Sequence, residues 1–366
     1  MKTKDPSFRA LLQLGEQLRK LTSERGSANG VKPIAPASGN GESQNELDAL
    51  LESTRLNNAW FTEESCMHAL RYWAEALSEE SLERWLSAYE APGNSARVVA
   101  LIMAGNIPLV GFHDLISVLL TGHKALVKCA SKDTLLLKYL VSLLTRYDPG
   151  LKNRIDFTDG KLDTFDAVIA TGSTNTSRYF EYYFSKKPHI IRKNRHGVAV
   201  LSGQETPAEL SGLAEDVFRY FGMGCRSVSK LYVPKGYDFD PLFNAFYPYN
   251  YLINHQKYGN NYDYNKAVYL MSGSPMLDNG FLLLKEDTGL GSPIGTLFYE
   301  SYEEQGAVVQ KLGAMKEEVQ CVVGGSWVSG AIPFGSAQRP ELRTYADGVD
   351  TVDFLLKTST ESPSAI

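Results

Sequence analysis

Ala167-Val168-Ile169-Ala170-Thr171-Gly172-Ser173-Thr174 is the stretch on which the fold class turns. Consecutive apolar residues without alternation read as a strand buried on both faces. The Thr-Gly-Ser-Thr that follows reads as a tight turn into a helix. Working outward, Val98 to Met103 is a second buried strand, followed by a helix over Phe112 to Leu120. Ala125 to Lys128 is a third strand, followed by a helix over Asp133 to Tyr147 whose Leu136, Leu140, Leu143 and Leu144 form one apolar stripe. Strands alternating with helices imply a parallel sheet with crossover helices. Ligands on such sheets gather at the carboxyl ends of the strands, which directs attention to Asn106, Lys128 and Gly172-Ser173.

The chain has 366 residues, which suggests about two domains. Hydrophobic residues make up 43% and charged residues 22%, an ordinary globular balance that excludes wholesale disorder. Lys and Arg number 37 against 42 Asp and Glu, a net charge of -5, so nucleic acid is not an expected partner. The most apolar run, Val98 to Phe112, is interrupted by Asn106 and Pro108 and is too short to span a membrane. No secretion signal is read at the N-terminus. The four cysteines, at positions 66, 129, 225 and 321, are widely spaced and not clustered with histidine. Neither a metal site nor a disulfide framework is expected, and a reducing cytoplasm fits.

The remaining chain divides further. Leu11, Leu12, Leu14 and Leu18 mark an amphipathic helix near the start, and residues 22–46 read as a Ser-, Gly-, Asn- and Pro-rich linker. A helical pair is expected over 46–89, anchored by Trp60, Trp73 and Trp85. A second unit begins after Val200. Thr206-Pro207-Ala208-Glu209 has capping-box form and opens a helix that should stop at Gly222. Val228 to Val233 and Val319 to Val323 read as strands, with a helix over Ala307 to Lys316 between them. Residues 243–269 hold seven tyrosines, an unusual aromatic density. The C-terminal stretch, Ile332 to Leu356, reads as turn-rich with a final short strand.

Cys225 is the candidate nucleophile. It lies just beyond a helix end with glycines at 222 and 224 and Arg226 beside it. A guanidinium favours thiolate, the nucleophilic form, although a free cysteine is more often a small buried apolar side chain. Thr171-Gly172-Ser173-Thr174 suits a phosphate at a helix N-terminus, or a simple N-cap. Lys128 and Lys132 are candidates to face a phosphate or to be solvated. Arg192, Lys193, Arg195 and Lys186-Lys187 form a basic run that would attract phosphates if it is not simply a solvated face. Gly289 to Gly295 misses the dinucleotide fingerprint by one residue and is assigned to a loop.

In order, Met103-Ala104-Gly105-Asn106-Ile107-Pro108, Ala125 to Ser131, Ala167 to Thr174, Gly222 to Ser227 and Ile332 to Gln338 with Tyr345 to Asp350 resemble the aldehyde dehydrogenase superfamily. The closer resemblance is to its LuxC-like branch, the long-chain fatty acyl-CoA reductases. That resemblance implies an α/β fold with two Rossmann-like parallel-sheet domains and an active-site cleft between them. The expected division is a helical segment over 1–95, an NADP-binding domain over 96–200, a catalytic cysteine domain over 201–335 and a tail over 336–366. It implies Cys225 as nucleophile and Asn106 as oxyanion donor. Met103, Ala104, Lys128, Ser131, Gly172, Ser173 and Glu286 are implied as cofactor contacts, Glu286 with an uncertain register because Asp287 adjoins it.

The departures from the superfamily pattern are informative. Where ordinary aldehyde dehydrogenases carry a water-activating glutamate, Ile191-Arg192-Lys193-Asn194-Arg195-His196-Gly197 has no carboxylate. A missing base slows hydrolysis of an acyl-enzyme by roughly 10²–10⁴-fold. His196 is read as structural or as a partial substitute. Ser131 stands where the family has an acid for the cofactor ribose, which favours NADPH, with NADH the alternative. The expected reaction is reduction of an acyl-CoA or other acyl thioester to the aldehyde through an S-acyl-cysteine. Two alternatives stay open: an NAD(P)-dependent aldehyde dehydrogenase releasing free acid, and a non-reducing acyl-carrier subunit. An acyl-protein synthetase is an implied partner, and self-association stays open.

Overall fold

The computed structural model describes residues 5–23, 41–90, 93 and 95–360. Two compact units emerge: residues 1–193 together with 341–366, and residues 194–340.

The first unit opens with four helices, α1 (Pro6–Ser23), α2 (Gly41–Asn57), α3 (Glu63–Ala76) and α4 (Glu79–Leu86). Leu11, Leu14 and Leu18 of α1 are buried, as their spacing predicts. Thr62 and Ser78 cap α3 and α4 by accepting the N–H of Ser65 and Ser81. Residues 41–46 belong to α2, so the expected linker is shorter at its C-terminal side, and its residues 24–40 lie outside those described. The expected helical pair is three helices, with Trp73 and Trp85 buried and Trp60 partly so.

Then follow β1 (Val98–Ile102), α5 (Phe112–Leu120), β2 (Lys124–Lys128), α6 (Leu135–Tyr147), β3 (Ile155–Phe157), β4 (Ala167–Thr171), α7 (Thr174–Phe184) and β5 (His189–Arg192). They form a five-stranded parallel sheet in the order β3-β2-β1-β4-β5. The chain runs outward from β1 to β2 and β3, then returns to the other side for β4. The gap between β1 and β4 at their carboxyl ends is therefore the topological switch point. The central strands β1 and β4 are buried on both faces, which is why they read as unbroken apolar runs.

The second unit has β6 (His196–Val200), α8 (Pro207–Phe218), β7 (Val228–Pro234), α9 (Asp240–Phe246), α10 (Gln256–Met271), β8 (Leu277–Asp278), β9 (Leu283–Glu286), β10 (Thr296–Tyr302), α11 (Gln305–Ala314) and β11 (Val319–Gly324). Its sheet runs β11-β6-β7-β10-β9-β8 and is parallel except for β8 against β9. The capping box at Thr206 and Glu209 is present, with Pro207 in the first turn. β6 pairs with β7 and β11, so the unit border falls after Lys193 and not after Val200.

The C-terminal segment rejoins the first unit. Trp85 Nε1 donates to the Tyr345 hydroxyl at 2.6 Å, and Tyr89 donates to Asp350 at 2.6 Å. The final element is a helix, Thr351–Thr360, and not the expected strand. Val352 and Leu355, three residues apart, are both fully buried, a helical spacing that a strand would split between two faces.

Candidate functional site

In the first unit the three segments singled out as cofactor contacts meet at one sheet edge, since β2, β1 and β4 are neighbours and parallel. Met103 donates its N–H to the Lys128 carbonyl at 3.0 Å, joining the two loops. A Cβ at Gly105 would lie 2.6 Å from Ala130 Cβ and 3.1 Å from Asp133 Cβ, so only glycine lets the loops approach. Met103 is buried, and a Cβ at Gly111 would lie 2.5 Å from its sulfur. Its side chain packs inward, against the Gly111 backbone. Ala104 and Lys128 are half-buried, and Asn106 and Ser131 are exposed. Lys128 Nζ donates to the Gly160 carbonyl at 2.8 Å. Leu109, in the loop after Asn106, has φ 60°; a non-glycine residue held there costs on the order of 1–3 kcal/mol and is common at functional loops.

Gly172 and Ser173 form the turn from β4 into α7. Ser173 is the N-cap, accepting the Thr176 N–H at 3.2 Å. A Cβ at Gly172 would lie 3.0 Å from the Phe180 ring and 3.1 Å from Thr176, a tight cradle. Asp133 was not singled out from the sequence. It is 8% exposed, its Oδ1 has no hydrogen-bond partner, and burial pushes its carboxyl up to about 7.

The second unit holds Cys225 in a turn, half-buried, three residues before β7. The approach to it is strained: Tyr220 and Phe221 have φ 55° and 57°, followed by Gly222 at 73°. Ser227 donates its N–H to the Gly224 carbonyl at 2.9 Å, closing the turn. Arg226, expected to favour the Cys225 thiolate, directs its Nε to the Ala337 carbonyl at 2.5 Å. Cys321 on β11 lies alongside, its Sγ 3.6 Å from the Arg226 carbonyl. Burial pushes the Cys66 thiol up to about 12 and the Cys129 and Cys321 thiols up to about 11, so these three stay protonated at neutral pH.

The loop assigned to Gly289–Gly295 is a loop, and it reaches the same end of the sheet. A Cβ at Gly291 would lie 2.4 Å from His196 Cε1, so the imidazole abuts that glycine. His196 is half-buried, and burial lowers its pKa. Its neighbour Gly197 abuts the cysteine turn: a Cβ there would lie 2.7 Å from the Arg226 carbonyl oxygen and 2.6 Å from that of Ser227. Glu286 is elsewhere. It ends β9, in register with Tyr299, which pairs with Leu231 well inside β7, whereas Cys225 precedes the start of that strand.

The basic run is largely engaged internally. Arg192 is buried against Asp114, Lys193 pairs with Glu181 at 2.8 Å, Arg195 donates to the Lys316 carbonyl at 3.3 Å, and Lys187 donates to the Phe165 carbonyl at 2.5 Å. In the tyrosine-rich segment Tyr258 and Tyr262 are buried and Tyr247 and Tyr264 exposed, so packing accounts for part of it. Asp216 was missed. Fully buried on α8, it accepts the N–H of Gly335 at 2.7 Å and of Ala337 at 2.8 Å. The signal was there: an acid on the apolar face made by Leu210, Leu213, Ala214 and Val217. Among the described residues no group of three or more His, Cys, Asp or Glu is arranged to hold a metal, and no helix is long and apolar enough to cross a membrane.

This architecture matches solved aldehyde dehydrogenases along most of the chain. The Mycobacterium tuberculosis enzyme complexed with NAD+ superposes with a TM-score of 0.56 at 14% identity, covering 89% of this chain and 75% of that one. Aldehyde dehydrogenase C from Pseudomonas syringae, complexed with NAD+ and octanal, gives 0.57 at 12%, covering 90% and 74%. Aldehyde dehydrogenase 21 from Physcomitrella patens, in complex with the reaction product succinate, gives 0.62 at 12%, covering 95% and 84%. The chain thus has the aldehyde dehydrogenase fold. Over residues 52–241, just over half its length, its sequence matches the family described as acyl-CoA reductase (LuxC), and the chain belongs to that family. The matched region includes Asn106, Lys128, Gly172 and Cys225. No curated protein matches it in sequence.

Proposed function

We propose that the protein reduces an acyl-CoA, or another acyl thioester, to the aldehyde through an acyl group held on Cys225. The observation that carries this reading is the turn that holds Cys225: it is half-buried, follows three consecutive residues at positive φ (Tyr220, Phe221 and Gly222), and is closed by the Ser227 N–H on the Gly224 carbonyl. The Cys225 thiolate attacks the thioester carbonyl, the C–S bond to CoA breaks, and CoA leaves as thiolate. The developing oxyanion is held by the Cys225 backbone N–H, with the Asn106 amide as the second donor that the resemblance implies.

The strand-end loops of the first unit suit a nicotinamide dinucleotide. The Gly172 cradle, the α7 N-terminus and the half-buried Lys128 are the groups that would hold its phosphates. When bound, that cofactor supplies the hydride that reduces the acyl carbon. The Cys225 sulfur then departs as thiolate and frees the aldehyde. NADPH is favoured over NADH because the exposed Ser131 brings no negative charge, and Asp133, buried against Gly105, does not restore it. An acyl-protein synthetase as donor follows from the family alone.

Release as aldehyde instead of acid is favoured because the segment where a water-activating acid would stand, 191–197, holds no carboxylate. Asp216, near the cysteine turn, is fully buried with both oxygens engaged by backbone N–H groups. The test is to incubate the protein with acyl-CoAs of graded length, with and without NADPH. Intact mass should show one acyl group, absent in Cys225→Ser, and product analysis should show aldehyde only when NADPH is added. Retained reductase activity in Cys225→Ser, or rapid CoA-independent acid formation from aldehyde, would overturn the proposal.

A further inference from the structure

The turn that carries Cys225 is organised around one buried hydroxyl. Ser227 Oγ accepts the Gly224 N–H at 3.2 Å and the side-chain amide of Gln338 at 3.1 Å. Ser227 is 2% exposed and Gln338 8%. With both lone pairs of the hydroxyl used, its position is tied to a side chain 111 residues further along the chain.

Gln338 is itself fixed by its own segment. Asp216 clamps the N–H groups of Gly335 and Ala337, and Arg226, next to Cys225, holds the Ala337 carbonyl. One helical turn before Asp216, Gly212 lets α8 touch this segment: a Cβ there would lie 2.9 Å from the Phe334 carbonyl carbon. The chain of contacts runs from α8 through residues 335–338 to Ser227 and Gly224. Cys225 sits inside the turn those last two residues close.

We propose that Gln338, acting through Ser227, is a positioning residue for Cys225. It sets the direction of the Cys225 backbone N–H toward the oxyanion that forms when a thioester is attacked. The proposal rests on the acyl-thioester reading above. A well-aimed donor of this kind is worth on the order of 10²–10³-fold in rate, and a misaimed one loses part of that.

The test compares two reactions of the same sulfur in the full-length protein. Acylation by acyl-CoAs of graded length, followed by intact mass in a single turnover, passes through an oxyanion; alkylation by iodoacetamide does not. Gln338→Ala should slow acylation by about 10–100-fold and leave alkylation within about twofold, with kcat falling and KM for the acyl-CoA little changed. Ser227→Ala should behave alike and serves if Gln338→Ala does not fold. In the double variant the losses should not multiply, because both act through one hydroxyl. Acylation at the wild-type rate in both single variants, acylation and alkylation falling together, or multiplied losses would each overturn the assignment. If the wild-type protein is alkylated but never acylated, the acyl-thioester reading itself is what fails.

Discussion

Arg192, at the end of β5, grips both carboxylate oxygens of Asp114 on α5, with Nη2 at 2.8 Å from Oδ1 and also 3.0 Å from the Thr351 hydroxyl. Both charged side chains are more than nine-tenths buried. The contact joins the sheet edge, a covering helix and the start of the C-terminal helix within the first unit. It also takes Arg192 out of the set of residues available to a CoA phosphate.

Removing one partner leaves the other charge buried and alone. Arg192→Ala should destabilise the first unit by about 3–5 kcal/mol, read from urea unfolding. Arg192→Met combined with Asp114→Leu should recover most of that loss, because well-packed apolar replacements avoid the desolvation cost. Equal destabilisation in the single and double variants would contradict this account.

Asp133 gives the protein a pH dependence with a definite sign. Burial raises its carboxyl from 3.8 to about 7 in the folded chain. The unfolded chain releases that proton near pH 4, so this group's contribution to stability is most favourable below pH 4, falls as pH rises to about 7, and is level above. Between pH 5.5 and 8.5 this one group should cost the wild-type protein about 2 kcal/mol. Asp133→Asn should lack that part of the slope in paired urea titrations. Asp216, raised to about 6 by burial, acts in the same sense over a lower range, so the difference between wild type and Asp133→Asn isolates Asp133.

On the proposed reading, cofactor preference follows from the charge at the exposed Ser131. Ser131→Glu places a carboxylate where a 2′-phosphate would approach. It should lower kcat/KM for NADPH at least about tenfold while leaving that for NADH unchanged or improved, an expectation from like-charge repulsion. Steady-state rates with both cofactors check it, and a proportional loss for both would contradict it.

Gly291 is expected to be intolerant of any side chain. In Gly291→Ala the added methyl meets the His196 ring, so the ring or the loop must move, at about 1–3 kcal/mol by analogy with overpacked cores. Displacing the ring toward solvent should raise the His196 pKa back toward its ordinary value, since burial is what lowers it. Imidazole titration by NMR measures that shift, and an unchanged titration would show that the ring is not held by Gly291.

The centre of the first sheet was legible because Val98 to Ile102 and Ala167 to Thr171 are buried on both faces and show up as apolar runs ending in turns, while Lys124 to Lys128 was legible from its short apolar middle. The capping box at Thr206 was legible because capping is local chemistry over four residues. Short strands such as Ile155–Phe157 and His189–Arg192 were not, having too few residues to establish a period. The C-terminal helix was misread for the same reason: five apolar-rich residues fit either element until their burial partner is known.

The chain by itself determined the alternation of strands and helices, the parallel sheet that follows from it, and Cys225 as the thiol set apart by glycines and an arginine. These are properties of neighbouring residues, and neighbours are what a sequence displays. Only the tertiary structure decided that Arg226 holds Ala337, that Arg192 is a core residue held by Asp114, that the Gly291 loop lies on His196, and that Gln338 reaches the turn around Cys225. Each of those contacts joins positions tens to more than a hundred residues apart. Which distant partner satisfies a buried polar group depends on how strands and helices pack, and no local pattern encodes it.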